Sequence, residues 1–331
     1  MLVGITGASG VVGSAIVRQL SQQNIKTRSI IRSAKTPGLL SSMKDLTEIA
    51  EADVLDMAGL IKAVDGVDAV VHAAGFVSFN PRRKNRIFDI NVEGTRNVVN
   101  ACLVHKTNKL VHISSVAALG KQRPGAIINE DSRWISGSAT SDYSHSKYLS
   151  ELEVYRGQEE GLNVSIVNPS VVLAAGDGQR SSSRLLGYVW RQRPFFTNFK
   201  LNYVDARDVA EIVTRILKDS SGEFNGERFI ANAGSVPVKK VFQLIAERLK
   251  KRAPGIHIPV GLAKAAARLE EIRTLITGGE PVISRQSVRL LREEVVFENA
   301  KAKKILGMEF QTLENTLDWC CDDFRTFNIN K

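Results

Sequence analysis

Along the first 170 or so residues, short apolar runs alternate with stretches whose apolar positions recur every three or four residues. The runs predict strands at Leu2 to Thr6, Thr27 to Ile31, Thr47 to Glu51, Asp68 to His72, Lys109 to Ile113 and Asn163 to Asn168. The recurrences predict helices at Val11 to Gln22, Ala58 to Val64, Arg86 to His105 and Tyr143 to Glu160. Strand-helix-strand order throughout predicts an α/β fold, a doubly wound parallel sheet with helices on both faces. After Asn168-Pro169 the rhythm changes. Gly176 to Ser183 reads as a polar loop, Val209 to Leu217 and Lys239 to Lys251 as amphipathic helices. Ala263 to Ile276 and Ser284 to Arg292 are further helical stretches, parted by the turn signal Gly278-Gly279-Glu280-Pro281. The expected organisation is a sheet domain over residues 1–168 and a small, mostly helical lobe over 169–331, some of whose segments return to the sheet.

Composition narrows the setting. With 331 residues, 43% of them hydrophobic, the chain can bury a large core. It has no uncharged apolar run of about 18 or more residues, and Met1 to Ile5 is too short an apolar stretch for a signal peptide. A cytoplasmic protein with no membrane partner is expected. The three cysteines, Cys102 and the adjacent Cys320-Cys321, form neither a disulfide framework nor a spaced metal site. The net charge of +10 raises nucleic acid as a partner, but the cations are spread along the chain, with small clusters only at Pro81 to Lys84 and Lys250 to Arg252. Without interleaved aromatics or a finger or zipper spacing, a solvated basic surface that attracts anionic small molecules is the better reading.

The first of those small molecules is named by Thr6-Gly7-Ala8-Ser9-Gly10-Val11-Val12-Gly13, which follows the first predicted strand and opens the first predicted helix. Gly7 allows the tight turn, Gly10 a close approach of backbone to pyrophosphate, and Gly13 close packing of helix on strand. The helix N-terminus offers free amides to the negative charge. This makes the sheet domain a dinucleotide-binding, Rossmann-type unit. After the second strand, where an NAD site places an acid for the ribose hydroxyls, the chain has Ile31-Arg32-Ser33-Ala34-Lys35. A cation and a hydroxyl suit a 2′-phosphate, so NADP(H) is the expected cofactor, with NAD(H) as the alternative. Asp53-Val54 closes the third strand region, where a carboxylate can accept from an adenine amino group. Ala73-Ala74-Gly75 ends the fourth strand with side chains small enough to admit ribose and pyrophosphate. His72 is read as a core histidine.

Tyr143 and Lys147 stand four residues apart, on one face of a predicted helix. A phenol is a poor acid or base at neutral pH unless a cation stabilises its phenolate, and Lys147, together with the positive nicotinamide ring of the oxidised cofactor, is expected to lower the pKa of Tyr143 in this way. Tyr143 would then protonate the alkoxide formed as hydride reaches a carbonyl carbon. Val111 to Ser115 supplies a third member, an apolar strand ending in two hydroxyls, either of which can bond the substrate oxygen.

At this point the chain resembles the extended short-chain dehydrogenase/reductases of the NAD-dependent epimerase/dehydratase family, over nearly its whole length. The matching segments are Thr6 to Gly13, Asp53-Val54, His72 to Gly75, Asn91 to Thr95, Ile113 to Ser115, Tyr143 to Lys147, Asn168-Pro169-Ser170 and Tyr203 to Ala210. The resemblance implies a catalytic hydroxyl five residues before a closing glycine, which selects Ser115 by counting from Gly120. It also implies that Asn91 joins the catalytic set, and that Asn91, Asn168, Pro169 and Ser170 line the cofactor together with Tyr143 and Lys147. Phe297 to Gly307 is similar to the "F-x-N-x-K-x-x-x-x-L-G" ending of the dihydroflavonol reductase and 3-beta-hydroxysteroid dehydrogenase group. Leu173 to Asp177 departs from that group in lacking the Gly-Pro after the Asn-Pro-Ser segment.

The function expected is reduction of a ketone or aldehyde, or oxidation of the alcohol, on a small-molecule substrate. A nucleotide-sugar epimerase holding NAD is an alternative that Arg32 disfavours, and a sugar dehydratase would need an acid pair where Val116-Ala117 stand. A non-catalytic NADP(H) sensor is disfavoured because Tyr143 and Lys147 are both present. Phe76, Ser78, Phe79, Ser115, Val171 and Tyr203 are the substrate-pocket candidates, with the Gly176 to Ser183 loop and the helices after Val236 as a lid. A homodimer is left open.

Overall fold

The computed structural model of the protein describes residues 1–35, 38–78, 80–120, 127–135, 141–174, 183–277 and 295–329. Seven parallel strands form the central sheet: β1 (Leu2–Thr6), β2 (Lys26–Ile31), β3 (Glu48–Glu51), β4 (Ala69–His72), β5 (Lys109–Ile113), β7 (Val164–Pro169) and β11 (Arg228–Ala231). Their order is β11-β7-β5-β4-β1-β2-β3. The direction of winding therefore reverses between β1 and β4, and this is where a doubly wound sheet opens a crevice beyond its strand ends.

Alternation along each strand sends side chains to both faces of the sheet, where they form its core. Val3, Ile5, Val71, Val111 and Val167 pack on one face with α1 (Val11–Gln22) and α7 (Ala206–Lys218). Ile30, Val70, Leu110 and Ile166 pack on the other with α2 (Met57–Val64), α4 (Gly94–Val104) and α5 (Asp142–Glu159). Between α3 (Lys84–Phe88) and α4 the helix predicted as one piece widens into a π turn over Asp89–Glu93. An extra residue in a turn re-aims the side chains it carries, and π turns concentrate at functional sites for that reason. Asn91 lies in it.

The later part of the chain builds a second core around Leu186, Phe242, Leu317 and Phe324, from α6 (Ser183–Trp190), α8 (Val238–Leu249) and the helix Leu313–Ile329. It is less purely helical than the sequence pattern implies. β8 (Val171–Leu173), β10 (Lys200–Asp205) and β12 (Gly234–Pro237) make a three-stranded sheet, and β6 (Ile127–Ile128), β9 (Phe195–Phe196), β13 (Ile256–His257) and β14 (Val296–Phe297) pair in twos. α9 (Val260–Thr277) overlaps the helix expected there, and α10 (Ala300–Leu306) and α11 (Leu313–Ile329) complete the chain. The Ser284 to Arg292 helix, the turn before it and residues 176–182 of the expected lid lie outside the described residues, as does Phe79. Among the described residues no helix is long and apolar enough to cross a membrane.

Asp208 ties the two parts together. It is 3% exposed on α7, and its carboxylate accepts the Gln311 backbone N–H at 3.0 Å. Burial pushes its pKa up to about 7, helped by Asp205 and opposed by the Gln311 N–H and Arg207. The folded state thus holds a proton that the unfolded chain, with an ordinary value of 3.8, has already lost. Stability is full below about pH 4 for this group and is lost as pH rises towards 7, with a slope approaching ~1.4 kcal/mol per pH unit. Asp208→Asn keeps an acceptor for Gln311 and removes the titration. Urea midpoints measured from pH 4 to 8 should show the variant gaining on the wild type as pH rises, and parallel curves would refute the assignment.

Candidate active site

The strand ends at the reversal point carry the residues singled out from the sequence. The glycine loop is built as its motif requires. Gly7 has φ +68°, where a side chain is strained, and a Cβ there would lie 2.5 Å from the Ala74 nitrogen. A Cβ on Gly13 would lie 2.4 Å from the Gly7 oxygen, so the helix can start against the strand only with glycine there. Gly10 caps α1 without a side-chain hydrogen bond to its first amides, and no acid stands in the first turn. Helix-start amides with no side-chain cap among the described residues, on a glycine-lined turn packed against Ala73 and Ala74, fit a pyrophosphate by shape and by charge. Ser9 supports the loop through its carbonyl, which accepts from Leu39 N at 3.3 Å.

Beyond β2, Arg32 and Lys35 are exposed, and Arg32 makes no hydrogen bond or ion pair among the described residues. The loop they occupy is held by Glu51, which accepts from Ala34 N at 2.5 Å, and by the Ser33 hydroxyl, which accepts from Lys35 N at 3.2 Å. Asp53 uses one carboxylate oxygen on Leu55 N at 3.0 Å, shaping its own turn beside the buried Val54.

A chain of buried hydrogen bonds crosses from the glycine strand to the π turn. Thr95 donates to Asn91 O at 2.6 Å, so its oxygen accepts from His72 Nε2 at 3.0 Å. His72 Nδ1 must then accept from the Thr6 hydroxyl at 2.7 Å. Burial, with the charge of Lys147, holds His72 down to about 3, so it is a neutral strut. Asn91, 1% exposed, accepts from Phe76 N at 2.7 Å and donates to Phe76 O at 3.0 Å and Ser146 Oγ at 2.9 Å. The structure gives it the work of positioning the strand-end segment and α5.

α5 is capped by the Ser141 hydroxyl, which accepts Ser144 N at 2.9 Å, and it turns polar residues towards the sheet. The Ser115 hydroxyl accepts from Ala117 N at 3.2 Å and acts against the rise in the Tyr143 pKa. Lys147, 4% exposed, donates to Ile113 O at 2.8 Å. In the protein by itself the two groups shift in opposite directions. Burial pushes Tyr143 up, with only Ser115 acting against it, and burial pushes Lys147 down to about 8, opposed by Glu151. Lys147 has its proton directed at a backbone carbonyl, and the low-dielectric setting dominates both groups.

Asn168 is fully buried and donates through Nδ2 to Ser115 O at 3.0 Å and to Glu151 Oε1 at 2.6 Å. Pro169 and Ser170 follow at the end of β7, with the Ser170 amide tied to Ala231 O at 2.9 Å. The pocket candidates divide. Phe76 lies beside Asn91 with Arg86 over its ring at 5.2 Å, and Val171 is 42% exposed. Ser78 is buried, its hydroxyl accepting from Asn80 N at 3.1 Å. Tyr203 is 5% exposed inside the second core, a packing position rather than an open pocket wall. Sequence reasoning missed Glu151 and Ser146. The first stands four residues after Lys147, so its signal was a second i, i+4 step along the same helix face.

Residues 3–232 match the NAD dependent epimerase/dehydratase family. A protein of Synechocystis sp. named for dihydroflavonol 4-reductase is 25% identical over 318 residues, covering 95% of this chain and 91% of its own. Sterol demethylase protein B of Methylococcus capsulatus is 27% identical over 308 residues, 92% of each chain. The crystal structure of gox2253 superposes with a TM-score of 0.83 at 27% identity, over 99% of this chain and 98% of that one. With a glycine cradle fitted to a pyrophosphate and a match spanning both the cradle and the Tyr143 helix, the chain belongs to the NAD dependent epimerase/dehydratase family and is an NAD(P)-dependent oxidoreductase.

Proposed function

We propose that the protein reduces a ketone or aldehyde, or oxidises the matching alcohol, with NADP(H), and that Ser115, Tyr143 and Lys147 handle the proton. The observation that carries this reading is a phenol and a buried ammonium one turn apart on α5, with the ammonium donating to Ile113 O at the end of β5, the strand after which Ser115 follows two residues on. Thr6 to Gly13, Asp53-Val54, Ala73 to Gly75, Tyr143, Lys147 and Asn168 to Ser170 would hold the cofactor, which supplies or accepts the hydride.

Burial keeps the proton on Tyr143 at neutral pH, the state a proton donor needs in the reductive direction. Ser115 donates a hydrogen bond to the same substrate oxygen and keeps it in line with the phenol. Once the proton leaves, the positive charge of Lys147 stabilises the phenolate that remains. With its own pKa at about 8, Lys147 is mostly charged at pH 7. The exposed Arg32 and Lys35 favour a 2′-phosphate over bare ribose hydroxyls, which supports NADP(H) over NAD(H) and a reductase over an epimerase. The substrate is a small carbonyl compound or alcohol, and a cytoplasmic setting and a homodimer fit the same reading.

Tyr143→Phe removes the proton donor and little volume, so turnover of a carbonyl panel should fall by about 10²-fold or more while cofactor affinity is nearly kept. A variant retaining more than about a tenth of wild-type activity would sink this mechanism. For the cofactor, charge-assisted contacts of roughly 1.5 to 3 kcal/mol predict at least about tenfold tighter binding of NADPH than NADH. Arg32→Asp should reverse that order in titration calorimetry, and equal wild-type affinities would remove the NADP(H) assignment.

A further inference from the structure

The proposed chemistry uses Lys147 but not the carboxyl one helical turn beyond it. We propose that Glu151 is a positioning residue of this site, a carboxylate clamped by Asn168 and Arg228 that serves as the fixed counter-charge of the buried Lys147 ammonium. Its meaning for turnover rests on the reading of Lys147 above, whereas the charge pairing stands apart from it.

Glu151 is 2% exposed and Lys147 4%, so neither can be hydrated and each needs a partner inside the protein. The i, i+4 spacing on α5 sets the two side chains along one buried face. Both carboxylate oxygens are fixed: Oε1 accepts from Asn168 Nδ2 at 2.6 Å, and Oε2 faces Arg228 of β11 at 3.4 Å. The same Asn168 Nδ2 donates to Ser115 O, so one amide holds the counter-charge and the strand end bearing the serine in register. The Lys147 ammonium itself donates to Ile113 O, so Glu151 acts on it as a nearby charge rather than through a direct ion pair.

The charges around the pair leave this role to Glu151. His72 on β4 and His112 on β5 are kept neutral by burial and by Lys147 itself. Tyr143 and Tyr155 on α5 keep their protons because burial raises both. Arg228 is a cation, and Glu227 next to it is engaged by Lys301. Burial drives Lys147 down and Glu151 resists it, while burial drives Glu151 up and Ser114, Arg228, Asn168 and Lys147 resist. Each ion is the other's support.

The test is carbon NMR on the whole protein without added cofactor, with lysine Cε and glutamate carboxyl carbons labelled. Loss of a resonance in Lys147→Arg and in Glu151→Asp assigns the two signals. In the wild type the Glu151 carboxyl carbon should step at the pH where Lys147 titrates. Glu151→Gln should move the Lys147 titration about one pH unit or more to lower pH, and Glu151→Asp by less. An unmoved Lys147 titration in Glu151→Gln, or no coupled step in the wild type, overturns the proposal; if Glu151→Gln fails to fold, the wild-type step decides alone. In parallel, the alkaline limb of kcat/KM should shift with the Lys147 titration in Glu151→Gln, which a merely structural defect would not produce. A coupled titration in a protein that turns over no carbonyl substrate would leave Glu151 as the counter-charge and remove the proposed carbonyl reduction instead.

Discussion

An ammonium buried to 4% exposure constrains everything around it. Stripped of water, it stays charged only if the protein replaces its hydration with directed acceptors and an anion. Lys147 is met by Ile113 O, whose strand must therefore end where the helix passes. The sheet-facing stripe of α5 answers with Ser144, Ser146, Lys147, Ser150 and Glu151, five polar residues where a packed helix ordinarily shows aliphatic ones. Every one of Ser146, Ser150 and Glu151 spends its polar atoms locally: Ser146 on Tyr143 O and Asn91, Ser150 on Lys147 O, Glu151 on Asn168. A half-satisfied seam of this kind would cost more than an apolar one. The buried aliphatic side chain of α5, Val154, lies in the distal half of the helix, where Gly157 lets it close on Val99 of α4.

The seam also links the two halves of the site. Thr6 closes β1 just before the glycine turn, and its hydroxyl begins the line through His72 and Thr95 to the Asn91 carbonyl. Asn91 continues through its side chain to Phe76 and to Ser146 on α5. Each hydrogen in this line has one direction available once the Thr95 donation is fixed, so the glycine turn and the Tyr143 helix are set against each other by rigid polar contacts. The π turn is what makes it reach. A regular helix over residues 84–104 would carry the Asn91 side chain to a different angle, away from the Phe76 backbone.

How far the sequence could be read follows from which signals are local. β1 and α1 have the bounds the pattern predicts, because strand, glycine turn and helix start are adjacent and each residue's demand is its own. Ser115, Tyr143 and Lys147 were legible because strand ends and helix faces determine where they point. β11 was not, since Arg228–Ala231 is four residues long and becomes a strand only by pairing with β7. β8, β10 and β12 form a sheet for the same non-local reason. Tyr203 looked like a pocket residue from its motif, yet β10 turns it into the second core, a matter of which face the small sheet buries. Glu151 escaped because an acid on a helix face is ordinarily a solvated one. Only the neighbouring strands reveal that this face is inside.

The sequence reading has Lys147 and the oxidised nicotinamide ring together drawing the tyrosine pKa down, and the protein alone shows a different balance. Burial reverses the order of effects. Tyr143 keeps its proton more firmly than a free phenol does, and Lys147 holds its own less firmly than a free amine. A tyrosine of lowered pKa would spend part of its time as a phenolate with nothing to donate to a carbonyl oxygen. In the proposed reduction a raised one is loaded, and its release would wait for a base strong enough to take the proton, which an oxygen receiving hydride becomes. The cost then falls on the phenolate left behind, and that is the moment at which a nearby positive charge matters most, in a medium where charges act over longer range than in water. For that the ammonium must still be charged despite its burial, so under the proposed mechanism the Glu151 carboxylate and the Asn168 amide that clamps both it and the serine strand would answer the same chemical requirement as Ser115, Tyr143 and Lys147.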